Sequence, residues 1–122
     1  MFEEKAMHKR IVFRSMDHSD SMEDYANQQL EKIEEFLANE PTPINIELIL
    51  QPSKKRSHHH VELRVKTPNY DLVSNYEHEG VEFYDVLDRV VDVMYKRLRE
   101  EKKKMLDKRK SAGRHEDFKA ER

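Results

Sequence analysis

The residues best suited to a chemical task are cations that crowd into one segment near the end of the sequence. From Lys96 to Arg114 the chain has ten basic residues and three acidic ones, a net charge of +7. Because the formal charge of the whole chain is −2, the remaining residues together carry −9. Concentrated cations of this kind indicate binding to nucleic acid or another polyanion. The alternative is a solvated helix end, where Lys and Arg favour the helix dipole.

Three consecutive histidines at positions 58–60 could in principle bind a metal ion. On a strand, His58 and His60 would share one face at a spacing that two imidazoles can use. No Cys or Asp nearby completes a ligand set, so we expect an exposed strand start or a polar patch that faces RNA. The sequence therefore predicts no metal site.

Asp85, Asp88 and Asp92 recur at intervals of three and four residues, the spacing of one helix face. Paired carboxylates could transfer protons or bind a divalent ion. We expect a solvated face instead, with Asp85 and Asp92 each placed four residues before a cation of the same helix (Arg89 and Lys96).

Other kinds of chemistry find little support. The chain has no cysteine, and its two glycines cannot build a phosphate-binding loop. No recognisable nucleophile motif includes Ser19 or Ser21. We expect these residues to cap a helix, where Asp20 followed by Glu23 resembles a capping box and Ser19 is a competing N-cap. Tyr84 could stack on a base, but its position beside an apolar stripe favours packing at the helix start. We therefore expect no enzyme activity, no cofactor and no small-molecule substrate.

The beginning of the sequence lacks the apolar stretch of a signal peptide, and no run reaches the roughly 18 apolar residues of a membrane span. We expect a cytoplasmic protein that does not contact a membrane.

Two helices must position the basic segment. The first is predicted from about residue 20 to 38, because its apolar residues recur every three or four positions: Met22, Ala26, Leu30, Ile33 and Leu37. The second begins near Val81 or Glu82 and runs to about Leu106, with an apolar face of Phe83, Leu87, Val90, Val91, Met94 and Leu98. At about 1.5 Å per residue it would extend beyond a sheet, so its basic half is expected to project past the core.

Four strands are predicted at residues 8–15, 44–51, 61–66 and 70–76, the middle two from alternating apolar and polar residues. Residues 77–80 are predicted to form a loop. The order β-α-β-β-β-α predicts an α+β two-layer sandwich, a four-stranded sheet with both helices on one face. We expect one domain at residues 8–106, after an extension at 1–7 and before a basic tail at 107–122 with too little to bury for an ordered structure.

Residues 82–88 are Glu-Phe-Tyr-Asp-Val-Leu-Asp and precede a helix that turns basic, and residues 30–36 are Leu-Glu-Lys-Ile-Glu-Glu-Phe. The first motif resembles the Asp-Met-Tyr-x-Ala-Ile-Asp, and the second the Leu-x-Lys-Leu-Glu-x-aromatic, of the ribosome hibernation-promoting factor and ribosome-associated inhibitor family. The resemblance covers roughly residues 8–106 and is to the short form, which lacks the dimerisation domain of the long forms.

The resemblance implies a fold like that of double-stranded-RNA-binding domains, and a protein that occupies the mRNA and tRNA channel of the small ribosomal subunit. Such binding stops translation during stress or stationary phase. The partners would be the small subunit and its rRNA, with the protein itself a monomer. The residues expected to contact RNA are Lys32, Arg64, Lys66, Arg89, Lys96, Arg97, Arg99, Lys102, Lys103 and Lys104.

The sequence departs from the family at positions that are often basic there, which are Gln29, Glu35 and Val93 in this chain. A competing interpretation is a protein-interaction module, in which the acidic remainder of the chain contacts a basic partner. Salt-sensitive RNA binding would favour the first interpretation, and binding that persists after RNase treatment the second.

Overall fold

The computed structural model describes residues 7–52, 58–79 and 82–120, with side chains at 7–52, 59–77 and 82–110. The elements in chain order are β1 (Met7–Phe13), α1 (Asp20–Leu37), β2 (Ile44–Pro52), β3 (His58–Lys66), β4 (Asp71–Glu79) and α2 (Phe83–Ala120). No helix among these described residues is long and apolar enough to cross a membrane.

The four strands form one sheet in the order β1-β2-β3-β4. β1 runs parallel to β2, because α1 carries the chain back across the sheet between them. β2, β3 and β4 are antiparallel neighbours. Thr67 makes the tight β3–β4 turn: its N–H donates to the Tyr70 carbonyl at 2.7 Å, and its hydroxyl accepts from the Tyr70 N–H at 2.9 Å.

Both helices pack on the same face of this sheet and share one hydrophobic core. Alternate residues of β2 and β3, such as Leu48 and Leu63, are fully buried together with Leu30 of α1 and Met94 of α2. The residues between them point to the opposite face, where Arg64 and Lys66 are exposed, Glu47 and Glu62 are half-buried and Ile49 is buried. The predicted α+β sandwich is therefore confirmed.

The predicted end of the second helix is wrong. α2 continues from Phe83 to Ala120, so residues 107–120 are helical rather than disordered, and 38 residues give a helix of about 57 Å. Leu98 is the last residue of the predicted apolar face and Met105 still packs partly against the core, but the chain beyond Leu98 is rich in Lys, Arg and Glu, which favour helix. Gly113 alone weakens a helix by only about 1 kcal/mol. The division into domain and tail at residue 106 stays a prediction.

The loop predicted at residues 77–80 is also wrong over most of its length. β4 continues to Glu79, because β3 begins at His58, three residues before its apolar alternation starts. Glu77 then pairs with His60, and Glu79 with His58. Gly80 and Val81 lie outside the described residues.

Ser19 caps α1, and its hydroxyl accepts a hydrogen bond from the Met22 N–H at 3.2 Å. Ser19→Ala is expected to lower the free energy of unfolding by about 1 kcal/mol, because that N–H loses its partner. Urea denaturation would measure the loss. The matched control is Ser21→Ala, two residues further and exposed, which is expected to change stability by less than about 0.5 kcal/mol. Equal losses in the two variants would contradict a specific cap.

Candidate nucleic-acid interface

Four cations of α2 form an exposed row, which we call the α2 ridge: Lys96, Arg99, Lys102 and Lys103. Met94 and Leu98 on the same helix are fully buried against the sheet. Steps of three and four residues keep the ridge on the side that faces solvent and α1. The ridge borders two adjoining shallow clefts, one of which also includes Phe36 of α1.

Two aromatic rings support the ridge from below. The Arg99 guanidinium lies 5.8 Å from the centre of the Tyr95 ring, and the Lys102 ammonium lies 5.4 Å from that of Phe36. The two rings contact each other edge to face, with centroids 5.9 Å apart. A ring face attracts a cation without neutralising it. The rings therefore hold these charges in place while leaving them able to bind phosphate.

Lys32 extends this surface from α1. Its ammonium lies 5.5 Å from the centre of the Tyr95 ring and forms a 2.6 Å ion pair with Asp92. Its side chain is 40% exposed. A phosphate that binds Lys32 must compete with the Asp92 carboxylate, so Lys32 contributes less free charge than the ridge cations.

Three of the predicted RNA-binding residues of α2 lie towards β4 rather than towards α1. Arg97 donates a hydrogen bond to the Val73 carbonyl on the outer edge of β4. Arg89 lies over the Tyr76 ring, 5.2 Å from its centre. Lys104 follows Arg97 by two helical turns, and its ammonium is 3.4 Å from Glu101. Arg97 and Lys104 therefore lie about a quarter turn around α2 from Lys96 and Lys103, whereas Arg89 precedes Lys96 by two helical turns and continues the line of the ridge.

The remaining two, Arg64 and Lys66, lie on the open face of the sheet. Arg64 donates to the neighbouring Glu62 carboxylate, and this hydrogen bond raises the pKa of Arg64 above its ordinary value. The structure thus divides the ten predicted residues into three groups, of which the ridge with Lys32 is the largest. A partner must surround the domain to contact all three.

The acidic residues of α2 join the two helices. Asp88 accepts a 2.7 Å hydrogen bond from the Tyr25 hydroxyl, and the ion pair of Asp92 is with Lys32 of α1 rather than with Lys96 of its own helix. Tyr84 packs as predicted, although its partner is Tyr25 rather than the sheet, at a centroid distance of 4.9 Å. These contacts fix α1 beside the ridge.

The hydrogen bond to Asp88 raises the pKa of Tyr25 to about 12, with burial a smaller cause. Because this folded-state pKa is above the ordinary value of 10.0, the stabilisation is fully present below about pH 10 and is lost as pH rises towards about 12. Tyr25→Phe is therefore expected to be less stable than the wild type at about pH 8 and to approach it at about pH 11. Urea denaturation of both proteins at the two pH values would measure this. A difference that stays constant would contradict the assignment.

The histidines at 58–60 do not face one way. His59 packs on Phe83 with a centroid distance of 4.3 Å, whereas His60 is on the other face of β3. The side chain of His58 lies outside the described residues. The structure also brings together a cluster that was not predicted, in which ligand atoms of His18, Asp20 and Glu23 lie within 4.8 Å of one another. Its carboxylates already lie 3.3 and 3.1 Å from the two ring nitrogens of His18.

Sequence reasoning missed the aromatic support of the ridge, although a signal was present. Arg99 follows Tyr95 by four residues, whereas the Lys102–Phe36 contact joins two helices and has no local signal. The four-residue spacing places an aromatic ring and a cation on neighbouring turns of a helix.

Comparison with known proteins identifies a family for this chain and solved structures with the same fold. The model of the sigma 54 modulation protein / S30EA ribosomal protein family matches residues 10–106. A solved ribosomal subunit interface protein from Coxiella burnetii is 20% identical, with a TM-score of 0.62, and the match covers 79% of this chain and 98% of that one. The N-terminal domain of Thermus thermophilus Protein Y is 18% identical, with a TM-score of 0.58, and the match covers 72% of this chain and 90% of that one. At these identities the two structures show a shared fold. A search among curated proteins found no match.

Proposed function

Because the chain belongs to the sigma 54 modulation protein / S30EA ribosomal protein family, we propose that it is a ribosome hibernation factor that binds the small ribosomal subunit. In this proposal it occupies the channel of messenger and transfer RNA and blocks translation under stress or in stationary phase. Inhibition is steric, and no bond is made or broken.

The observation that carries the proposal is the α2 ridge. It places four exposed cations on one surface, two of them held over aromatic rings. Ribosomal RNA is a dense polyanion, and neutralising its phosphates releases bound counterions, which drives association. Since the rings already restrict the ridge side chains, less conformational entropy is lost on binding.

The packed core behind the ridge would exclude messenger and transfer RNA from the channel. α1, α2 and the sheet share one buried cluster, and Tyr25 and Lys32 tie the helices together through α2 carboxylates. A folded domain in the channel excludes messenger and transfer RNA by volume. The cations facing β4 and those on the open sheet face add contacts if the channel walls surround the domain.

Co-sedimentation with purified small subunits, at low and moderate salt, tests the proposal. We expect stoichiometric pelleting that weakens with salt and that messenger RNA with transfer RNA displaces. Pelleting that these RNAs leave unchanged would contradict binding in the channel. No pelleting at low salt would mean that the departures at Gln29, Glu35 and Val93 have abolished ribosome binding.

The second candidate is a protein-interaction module. It is favoured by an exposed acidic row on the outer side of α1, formed by Asp24, Glu31 and Glu35 at helical spacing. Such a row complements a basic protein surface. Binding to ribosomal particles that persists after RNase digestion of their RNA would support this candidate over the first.

A further inference from the structure

A cleft of about 250 Å³ lies where the α1–β2 loop and the β3–β4 turn meet α2. We call it the Tyr70 cleft. The side-chain amide of Asn69 donates to the Glu40 carboxylate at 2.9 Å and so joins the two loops. Pro41 and Leu106 give the cleft apolar walls, and Lys102 and Arg109 add two exposed cations from α2.

Tyr70 is the unusual residue of this cleft. It is 4% exposed and packs near Phe36, yet its hydroxyl is buried without a hydrogen-bond partner. Burial raises the pKa of Tyr70, Glu40 raises it further, and Arg109 lowers it. The hydroxyl is therefore within electrostatic reach of both the acid and the cation that line the cleft. A buried hydroxyl without a partner is unfavourable, and a ligand that accepts or donates a hydrogen bond there removes the penalty.

We propose that the Tyr70 cleft binds a single nucleoside monophosphate unit. Lys102 and Arg109 hold its phosphate, and Pro41 and Leu106 enclose a base whose exocyclic amino group donates to Glu40. The Tyr70 hydroxyl completes the set of contacts. The carboxylate repels inorganic phosphate, so phosphate alone fits less well than a nucleotide that also carries a hydrogen-bond donor.

The nucleotide has two sources with the same chemistry. One is a free mononucleotide, and the other is a nucleotide unstacked from single-stranded RNA, which is how proteins commonly recognise RNA bases. The volume of the cleft limits the ligand to one unit in either case. The inference does not depend on ribosome binding.

Titration of the full chain with AMP and with UMP, followed by NMR chemical shifts, tests this site. AMP is expected to bind, and UMP to bind about tenfold more weakly, since uracil offers Glu40 only a ring N–H instead of an exocyclic amino group and has a smaller ring to pack between Pro41 and Leu106. Tyr70→Phe and Arg109→Gln are each expected to weaken AMP binding at least about tenfold. Lys110→Gln is the matched control, one residue outside the cleft on the same helix, and is expected to leave AMP binding unchanged.

A melting curve separates loss of binding from loss of fold. Tyr70→Phe removes the unpaired hydroxyl and keeps the ring, so the free variant is expected to melt no lower than the wild type.

A short oligoadenylate then identifies the source of the nucleotide. AMP binding as tight as that of the oligomer indicates a free nucleotide, and binding of the oligomer alone, weakened by Tyr70→Phe, indicates a nucleotide of RNA. Both outcomes support the cleft.

Three results would overturn the inference. They are no binding of AMP or oligoadenylate, equal binding to the wild type and Tyr70→Phe, or equal binding of AMP and UMP. Because the assay contains no ribosome, such a failure says nothing against binding to the small subunit.

Discussion

Replacing the four ridge cations, Lys96, Arg99, Lys102 and Lys103, with glutamine is expected to weaken binding to the small ribosomal subunit by about 10²–10³-fold at physiological salt. Each phosphate contact releases close to one counterion, so the slope of log affinity against log salt should fall by about one for each cation that contacts RNA. Glutamine keeps most of the side-chain length and the helix propensity. Since all four side chains are exposed, we expect stability to change little, and co-sedimentation over a salt series measures the slope.

A matched pair of double variants distinguishes direct contact with RNA from general electrostatic attraction to it. Lys96 and Lys103 lie on the ridge, whereas Arg64 and Lys66 lie on the open face of the sheet. Both double variants remove two positive charges. We expect the ridge variant to lose about two units of salt slope and the sheet variant to lose much less, because Glu62 already engages Arg64. Equal losses would show that the ridge is not the main contact.

The fold could be predicted because its signals are local and mutually consistent. The apolar residues of α1, from Met22 to Leu37 at helical spacing, are the ones that the structure buries. The alternation in β2 likewise gives its core face, with Ile44, Ile46, Leu48 and Leu50 buried. Element ends were less predictable. A helix that leaves the core has no apolar stripe, so periodicity stopped at Leu98 while α2 continued to Ala120.

The candidate site could be predicted only in part, because the net charge of a segment does not determine which side of the helix each cation occupies. The sequence identified the cations but could not assign Arg97 to the β4 edge or Arg99 to the Tyr95 ring. It also placed Asp92 in a pair with Lys96, whereas tertiary packing brings Lys32 closer. The Tyr70 cleft depends on two loops and α2 meeting, which no single segment encodes.

Leu98→Ala is expected to be the most damaging of the stability changes, with a loss of about 2–5 kcal/mol in the free energy of unfolding. Leu98 is fully buried and is the last fully buried residue of α2 within the part whose side chains the structure describes. Its removal leaves a cavity between helix and sheet that the surrounding side chains fill only partly. A domain of this size has only about 5–15 kcal/mol of stability, so the variant loses a large share of it.

Val93→Ala is the matched control, because Val93 lies on the same helix but is 38% exposed. Its expected loss is below about 1 kcal/mol. Leu98 also lies between Lys96 and Arg99, so it anchors the helix segment that presents the ridge. If Leu98 acts as an anchor, the Leu98→Ala variant should bind small subunits nearly as well as the wild type at a temperature where it is still folded. Its loss of binding should then increase with temperature. Urea denaturation and co-sedimentation on the same preparations measure the two effects, and equal stability losses in the two variants would contradict the anchoring role.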